Sequence, residues 1–138
     1  MIVDVSLTKV QTNVGIDGVI VVKENNTPSA LKILTSLPFG GNRVIAMTST
    51  GIDYADFLNA NETLGFTKYA ASANTLATIL FNGDLNGFTG LIVGQLIYLS
   101  TNGTITQTPP TSGNLQILGV AISDTKISIN IQQPIFLG

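Results

Sequence analysis

The feature that most constrains the fold is the alternation of apolar and polar residues in short β-branched segments. The clearest case is the segment 126–132, whose sequence KISINIQ places isoleucine at every second position. Because successive side chains of a strand point to opposite faces of a sheet, this pattern predicts a strand with one apolar face. Similar segments recur along the chain, and Asn102-Gly103 between two of them is the strongest hairpin signal.

These segments predict a mainly β fold, either a small β-barrel or a β-sandwich built from hairpins, with at most one or two short helical segments. The helix candidate begins at Asp53, with Asp56 three residues later as a partial capping box. The segment 69–81 fits a helix or a strand equally well. Turns are predicted within 82–87, and Gly119 marks a bulge or a close backbone approach.

Charge divides the chain near its middle. Of fourteen charged side chains, eleven lie in residues 1–70 and only Asp84, Asp124 and Lys126 lie in residues 71–138. Residues 1–70, which include a predicted strand at 2–7, are therefore interpreted as a solvated N-terminal β segment or arm. Residues 71–138 are interpreted as a β-barrel-like assembly module. With 138 residues in total, the two parts could also form one domain.

The low charge content predicts association. Charged residues make up 10% of the chain, against roughly 25% in typical soluble domains, and the net charge is −2. A lone chain with so few charges on its surface is prone to associate. We therefore expect an obligate oligomer that buries part of its surface against copies of itself or another protein.

Several other functions are not expected. The six Lys and Arg residues are scattered singly, so no basic stripe is present for nucleic acid. No apolar run approaches the length of about 18 residues that a membrane span needs. The chain has neither His nor Cys and no phosphate-binding glycine motif, so we expect no enzyme, cofactor, metal site or small-molecule ligand.

Two side-chain groups leave alternatives open. On a helix, Asp53 and Asp56 would share a face and could act as acid and base or bind Ca²⁺, although helix capping is the preferred interpretation. The nine Phe and Tyr residues could in part form a sugar-binding platform, although core packing is preferred because the chain lacks Trp.

One part of the chain resembles a known module. The segments GQLIYL at 94–99, STNGT at 100–104, LGVA at 118–121 and the alternating strand at 126–131 resemble a small β-module of bacteriophage virion proteins. Capsid decoration proteins, head fibres and tail-fibre segments contain it. In this module the first strand enters a hairpin, the LGVA strand returns beside it, and the alternating strand closes a barrel. The resemblance covers residues 91–133.

The resemblance implies a structural protein of a bacteriophage particle. The implied role is a homotrimeric capsid decoration or head-fibre protein that stabilises or ornaments the shell, is located in the virion, and lacks an active site. Its implied partners are copies of itself and other virion proteins such as a major capsid protein. The alternative is a host-surface adhesin that binds carbohydrate, or a tail-fibre module.

The candidate assembly surface combines the alternating strand with the apolar C-terminal tail. For the strand, the module's own core is an equally good interpretation. For the tail, which follows Pro134, contact with a partner is preferred because an apolar tail needs shielding from water. The candidate residues are Ile127, Ile129, Ile131, Ile135, Phe136 and Leu137.

Overall fold

The structure, a computed structural model, describes residues 19–24, 27–59 and 61–138, so the strand predicted at 2–7 lies outside the described residues. Within these ranges the regular structure consists of thirteen antiparallel strands and no helix. The strands are β1 (Val19–Glu24), β2 (Thr27–Thr35), β3 (Val44–Thr48), β4 (Gly51–Tyr54), β5 (Glu62–Thr67), β6 (Thr75–Leu80), β7 (Asn82–Asn86), β8 (Leu96–Leu99), β9 (Ile105–Thr106), β10 (Asn114–Leu115), β11 (Ile117–Ala121), β12 (Lys126–Asn130) and β13 (Ile135–Phe136).

The strands form two large sheets and a small ribbon. The first sheet has the order β1-β2-β6-β5-β3-β4, the second has the order β9-β8-β11-β12-β7, and β10 pairs with β13. The prediction of a mainly β fold is confirmed, and the packing of the two sheets fits a small sandwich. In the described part of the chain, β12 pairs with β7 instead of closing a barrel.

The main core lies between the two sheets. From the first sheet it receives Phe66 and Val44, and from the second it receives Ile97, Leu118 and Ile127, all of which are fully buried. In the second sheet the core residues include alternate positions of a strand, Ile97 with Leu99 and Ile127 with Ile129, as expected where one face of a sheet is buried. The alternation in 126–132 therefore serves the contact between the sheets.

A second apolar cluster lies on the opposite face of the first sheet. Its strand residues include Ile33, Ile45 and Ile79. Phe39, which precedes β3, packs in this cluster and exchanges two backbone hydrogen bonds of 2.9 Å with Ala71. The first sheet therefore buries apolar side chains on both faces.

The chain crosses from the first sheet to the second at a single residue. Strand β6 pairs with β2 from Ala30 opposite Leu80 to Thr35 opposite Thr75, so the ambiguous segment 69–81 forms a strand over 75–80. Phe81 alone separates β6 from β7 of the second sheet. Residues from both sides of position 70 consequently share the main core.

The predicted helix at Asp53 is wrong. Asp53 lies in β4, where it pairs with Ala46 of β3, and this pairing satisfies the backbone in place of a helix. Asp56 begins a turn. Its side chain accepts hydrogen bonds from the backbone N–H of Leu58 at 2.9 Å and of Asn102 at 3.2 Å.

The turns predicted within 82–87 are also corrected. Residues Asn82–Asn86 form β7, which pairs with β12 from Asn82 opposite Asn130 to Asn86 opposite Lys126. Leu85 points into the main core and is 4% exposed. Pairing with a regular strand and burial of this leucine override the turn preference of the Asn and Gly residues.

Two glycine predictions are confirmed. At the tip of the β8–β9 hairpin, Asn102 and Gly103 have φ angles of 49° and 73°, as a type I′ turn requires. At Gly119 the register of β11 against β8 shifts. A Cβ atom there would lie 3.1 Å from the Ser128 carbonyl carbon and 3.2 Å from the Ile129 Cα atom.

A buried hydroxyl joins the loop before β3 to the end of β5. The Thr67 side chain, which is fully buried, donates a hydrogen bond to the Gly40 carbonyl at 2.6 Å and accepts one from the Arg43 N–H at 3.0 Å. Substitution Thr67→Val keeps the shape and leaves both groups unpaired. We expect a loss of about 1–3 kcal/mol in the free energy of unfolding, measured by urea denaturation.

The matched control for this prediction is Thr111→Val. Thr111 is exposed, and its hydroxyl makes no hydrogen bond to another residue in the described ranges. Its substitution should leave the urea midpoint almost unchanged. Equal effects at the two positions would show that the Thr67 hydroxyl has no special role.

Candidate assembly surface

The six predicted surface residues separate into two groups. Ile127 and Ile129 are 0% and 4% exposed and lie in the core between the sheets, and Ile131 packs against the same core. For these three, the structure matches the second interpretation, the module's own core. The side chains of Ile127 and Ile129 are therefore not available to another chain in this fold, whereas Ile131 is only partly buried.

The C-terminal tail lies on the surface. Ile135, Phe136 and Leu137 are 59%, 75% and 42% exposed. Strand β13 pairs with β10, and the Leu137 N–H donates to the Gly113 carbonyl at 2.7 Å. The tail thus presents apolar side chains from a hydrogen-bonded backbone, so less conformational entropy is lost when a partner covers them.

The ribbon is anchored to the sandwich through Asn114. This residue is 8% exposed, and its side-chain amide donates to the carbonyls of Phe57 at 3.1 Å and Asn59 at 3.2 Å. Between these two lies Leu58, which is 63% exposed and whose Cδ2 atom lies 3.3 Å from where a Cβ of Gly113 would stand. We name Leu58, Ile135, Phe136 and Leu137 the tail patch.

A second apolar area lies at the outer face of the second sheet. Leu96 of β8, 41% exposed, stands directly opposite Val120 of β11, and Ile122 follows at the end of that strand with 42% exposure. In the turn before β8, Ile92 and Val93 are 58% and 61% exposed. We name Ile92, Val93, Leu96, Val120 and Ile122 the sheet patch.

The turn that carries part of the sheet patch is braced by one side chain. The Gln107 amide accepts a hydrogen bond from the Ile92 N–H and donates one to the Ile92 carbonyl, both at 2.9 Å. The neighbouring strands β12 and β7 present polar residues on the same outer face, with Ser128 opposite Asp84. An apolar area with a polar border of this kind is typical of protein interaction sites.

A smaller apolar pair lies on the first sheet. Leu34 of β2 and Leu76 of β6 are cross-strand partners and are 58% and 47% exposed. They share a face with Lys32 and Thr78, whose side chains form a 3.1 Å hydrogen bond. This pair is therefore bordered by a charge.

The sequence signals for these surfaces differ in strength. The tail was recognisable from its composition after Pro134. The sheet patch was not predicted from the sequence as an assembly surface. Its signal is that β8 is apolar at all four positions, LIYL, and so must expose apolar groups on one face. Leu58 could not be predicted from the sequence as part of this surface, because it lies near the tail only through the pairing of β10 with β13.

The carboxylates do not form a reaction centre of the kind considered from the sequence. Asp53 is exposed on β4, whereas Asp56 holds the following turn, so the two do not share a helix face. Across 19–24, 27–59 and 61–138, no group of three or more Asp and Glu residues is placed to hold a metal ion. The same ranges contain no helix long and apolar enough to span a membrane.

No protein-family model matches the chain, and a search of curated proteins finds no similar sequence.

Proposed function

We propose that this protein is a structural component of a bacteriophage particle, a homotrimeric capsid decoration or head-fibre protein located in the virion. The observation that carries the proposal is the tail patch. It holds the exposed apolar side chains of a surface ribbon, with Phe136 75% exposed on one face of the ribbon and Ile135 59% exposed on the other. Its partners would be copies of this chain and another virion protein such as the major capsid protein.

The tail patch is a source of binding energy. Full burial of one large apolar side chain is worth about 1.5–3 kcal/mol relative to exposure. Since Ile135, Phe136 and Leu58 are each more than half exposed, covering them offers several kcal/mol to an interface. Copies of this chain that bind the capsid shell only in its assembled form would stabilise the shell by mass action.

The low charge of residues 71–138 supports the same proposal. These residues contain three charged side chains. Asp84 lies in β7, Asp124 lies in the connection between β11 and β12, and Lys126 is the first residue of β12. The tail patch contains no charged residue, and the sheet patch meets charges only at its border, where the Ile122 N–H donates to the Lys126 carbonyl at 2.9 Å.

The resemblance adds the phage context. Its segments form β8, β9, β11 and β12, which are adjacent in the second sheet in the order β9-β8-β11-β12. The hairpin and the returning strand beside it agree with the order that the resemblance implies. The pairing of β12 with β7 departs from barrel closure.

The oligomeric state tests the proposal. By light scattering the full chain should show a mass of about 43.5 kDa, three times the 14.5 kDa of one chain. The substitution Phe136→Asp should shift the mass towards 14.5 kDa without loss of the β-sheet circular dichroism signal, because a charge in a buried interface is costly.

Tyr69→Asp is the matched control, since Tyr69 is an aromatic residue outside both patches and is 62% exposed. It should keep the trimer mass. A wild-type chain that remains single at high concentration, and that is missing from purified particles, would contradict the proposal.

The alternative function, carbohydrate binding at the host surface, has one specific observation in its favour. A polar cleft opens where the two sheets meet. Carbohydrate binding in this cleft is compatible with assembly into a particle, because none of the tail-patch residues lines the cleft.

A further inference from the structure

A cleft of about 540 Å³ lies at the end of the sandwich where the chain crosses between the sheets. Its walls come from the start of β5, the crossing residue Phe81, the start of β7 and the end of β12 with the segment that follows it. We name it the amide cleft, after the side-chain amides of Asn61, Asn82, Gln116, Asn130, Gln132 and Gln133.

One of these amides is buried and held in a defined orientation. Gln116 is 4% exposed, its Oε1 atom accepts a hydrogen bond from the Thr63 hydroxyl at 2.7 Å, and its Nε2 atom donates to the Gln132 carbonyl at 2.8 Å. The carbonyl can only accept, so it determines which end of the amide carries the nitrogen.

The buried amide retains hydrogen-bonding capacity. A side-chain amide has two N–H donors and two acceptor sites. The hydrogen bonds of Gln116 with other residues in the described ranges use one of each. A buried amide with an unused donor and acceptor is costly unless another group pairs with them, and a ligand in the cleft could do so.

The charges around the cleft restrict the ligand class. None of the described residues that line it is Lys or Arg, which disfavours a phosphate or an acidic sugar. Glu62 is its one carboxylate in the described ranges, fewer than a Ca²⁺ site normally contains. The ligand class that remains is neutral and rich in groups that both donate and accept hydrogen bonds.

The cleft also has an apolar part. Phe81, Ile131 and Pro134 line it beside the amides. A sugar ring presents hydroxyl groups at its edge and C–H groups on its face, so it matches amides next to apolar side chains. The volume lies within the range of about 300–1,000 Å³ that is typical of small-ligand pockets.

We infer that the amide cleft binds a neutral oligosaccharide, with Gln116 at its floor and Asn82 and Asn130, which are cross-strand partners, at its rim. A peptide is the weaker candidate, because binding by strand addition would use the backbone of β7 rather than side-chain amides. The inference supplies a binding site for the host-surface alternative and does not depend on trimer formation. It revises the expectation that the chain has no small-molecule ligand.

The test begins with the full-length chain on an array of neutral and acidic oligosaccharides. The best neutral oligosaccharide is then titrated by calorimetry against the wild type and the double variant Asn82→Ala, Asn130→Ala. Because hydrogen bonds at the rim are lost, the Kd should rise at least about tenfold.

Asn86→Ala is the matched control. Asn86 is an exposed asparagine at the other end of the same strand and does not line the cleft. Its substitution should leave the Kd unchanged. As a second readout, the side-chain amide NMR signals of Gln116 should shift when the wild-type chain is titrated with the oligosaccharide, which tests the site even if the double variant fails to fold.

Four results would overturn the inference. They are an array without neutral binders, a Kd unchanged in the double variant, Gln116 signals that do not respond, and selective binding of an extended peptide at the cleft. Light scattering on the same samples distinguishes a loss of oligomerisation from a loss of oligosaccharide binding. The cleft variant should keep the wild-type mass, and Phe136→Asp should keep oligosaccharide binding.

Discussion

Substitution Gly103→Ala is expected to reduce the free energy of unfolding by about 2–5 kcal/mol, through left-handed backbone strain and a steric clash together. Gly103 has a φ angle of 73°, and an added Cβ atom would lie 2.7 Å from Tyr54 Cδ1 and 2.8 Å from the Val44 carbonyl oxygen. The carbonyl belongs to β3, which is paired with β5 on one side and β4 on the other, and it has little freedom to move.

The position of Gly103 explains why the loss should be large. The tip of the β8–β9 hairpin inserts at the edge of the first sheet, where the Val44 N–H donates to the Gly103 carbonyl at 2.8 Å. The Gly103 N–H in turn donates to the Ala55 carbonyl at 2.6 Å. A shift that relieves the clash would break these bonds between the two sheets.

Gly90→Ala is the matched control for this prediction. Gly90 has a φ angle of 70°, nearly that of Gly103, but no atom lies within 4 Å of its added Cβ. Its cost should be limited to the strain term of about 1–2 kcal/mol. Urea denaturation at one fixed protein concentration measures both variants, and equal losses would show that the hairpin tip is not packed between Val44 and Tyr54.

Substitution Phe66→Ala is expected to cost about 3–5 kcal/mol, the usual range for removing a buried aromatic side chain. Phe66 is fully buried in the core between the sheets, and its ring meets that of Phe88 edge to face with centroids 6.3 Å apart. The cavity would open where the two sheets contact each other. The measurement is the urea midpoint together with the slope, which reports whether two-state unfolding persists.

Two further variants calibrate this result. Phe66→Leu fills part of the cavity and should cost clearly less than the alanine variant. Phe88→Ala removes the edge-to-face partner, which is only partly buried, and should fall between the two. A loss below about 1 kcal/mol for Phe66→Ala would mean that the sheets do not depend on this contact.

Local sequence patterns correctly predicted those elements whose local conformational preference agrees with their tertiary pairing. The alternation of 126–132 correctly indicated a half-buried strand, which the structure forms over Lys126–Asn130. Asn102-Gly103 correctly indicated a hairpin, because few other residue pairs tolerate two successive positive φ angles. Gly119 was recognisable for a related reason, since a glycine within an apolar strand marks a place where another backbone comes close.

Other elements depended on pairing with distant residues. Asp53 has the local signal of a helix cap but pairs with Ala46 in a strand. The Asn and Gly residues of 82–86 have the local signal of a turn but pair with β12, which is about forty residues away in sequence. In both cases cross-strand hydrogen bonds and burial outweigh a local preference worth less than about 1 kcal/mol per residue.

From the sequence alone come the β class, the Asn102-Gly103 hairpin and the shortage of charge on which the proposal of assembly rests, because these follow from composition, turn residues and a period of two residues. The tertiary structure alone decides which apolar residues remain exposed. It buries Ile127 and Ile129 and leaves Phe136 on the surface. The hydrophobicity of these residues alone does not predict this difference, because all three are strongly apolar. The tertiary structure also builds the amide cleft, since Asn82 and Asn130 meet only through the pairing of β7 with β12, and Gln116 meets Thr63 of β5 only when the two sheets pack.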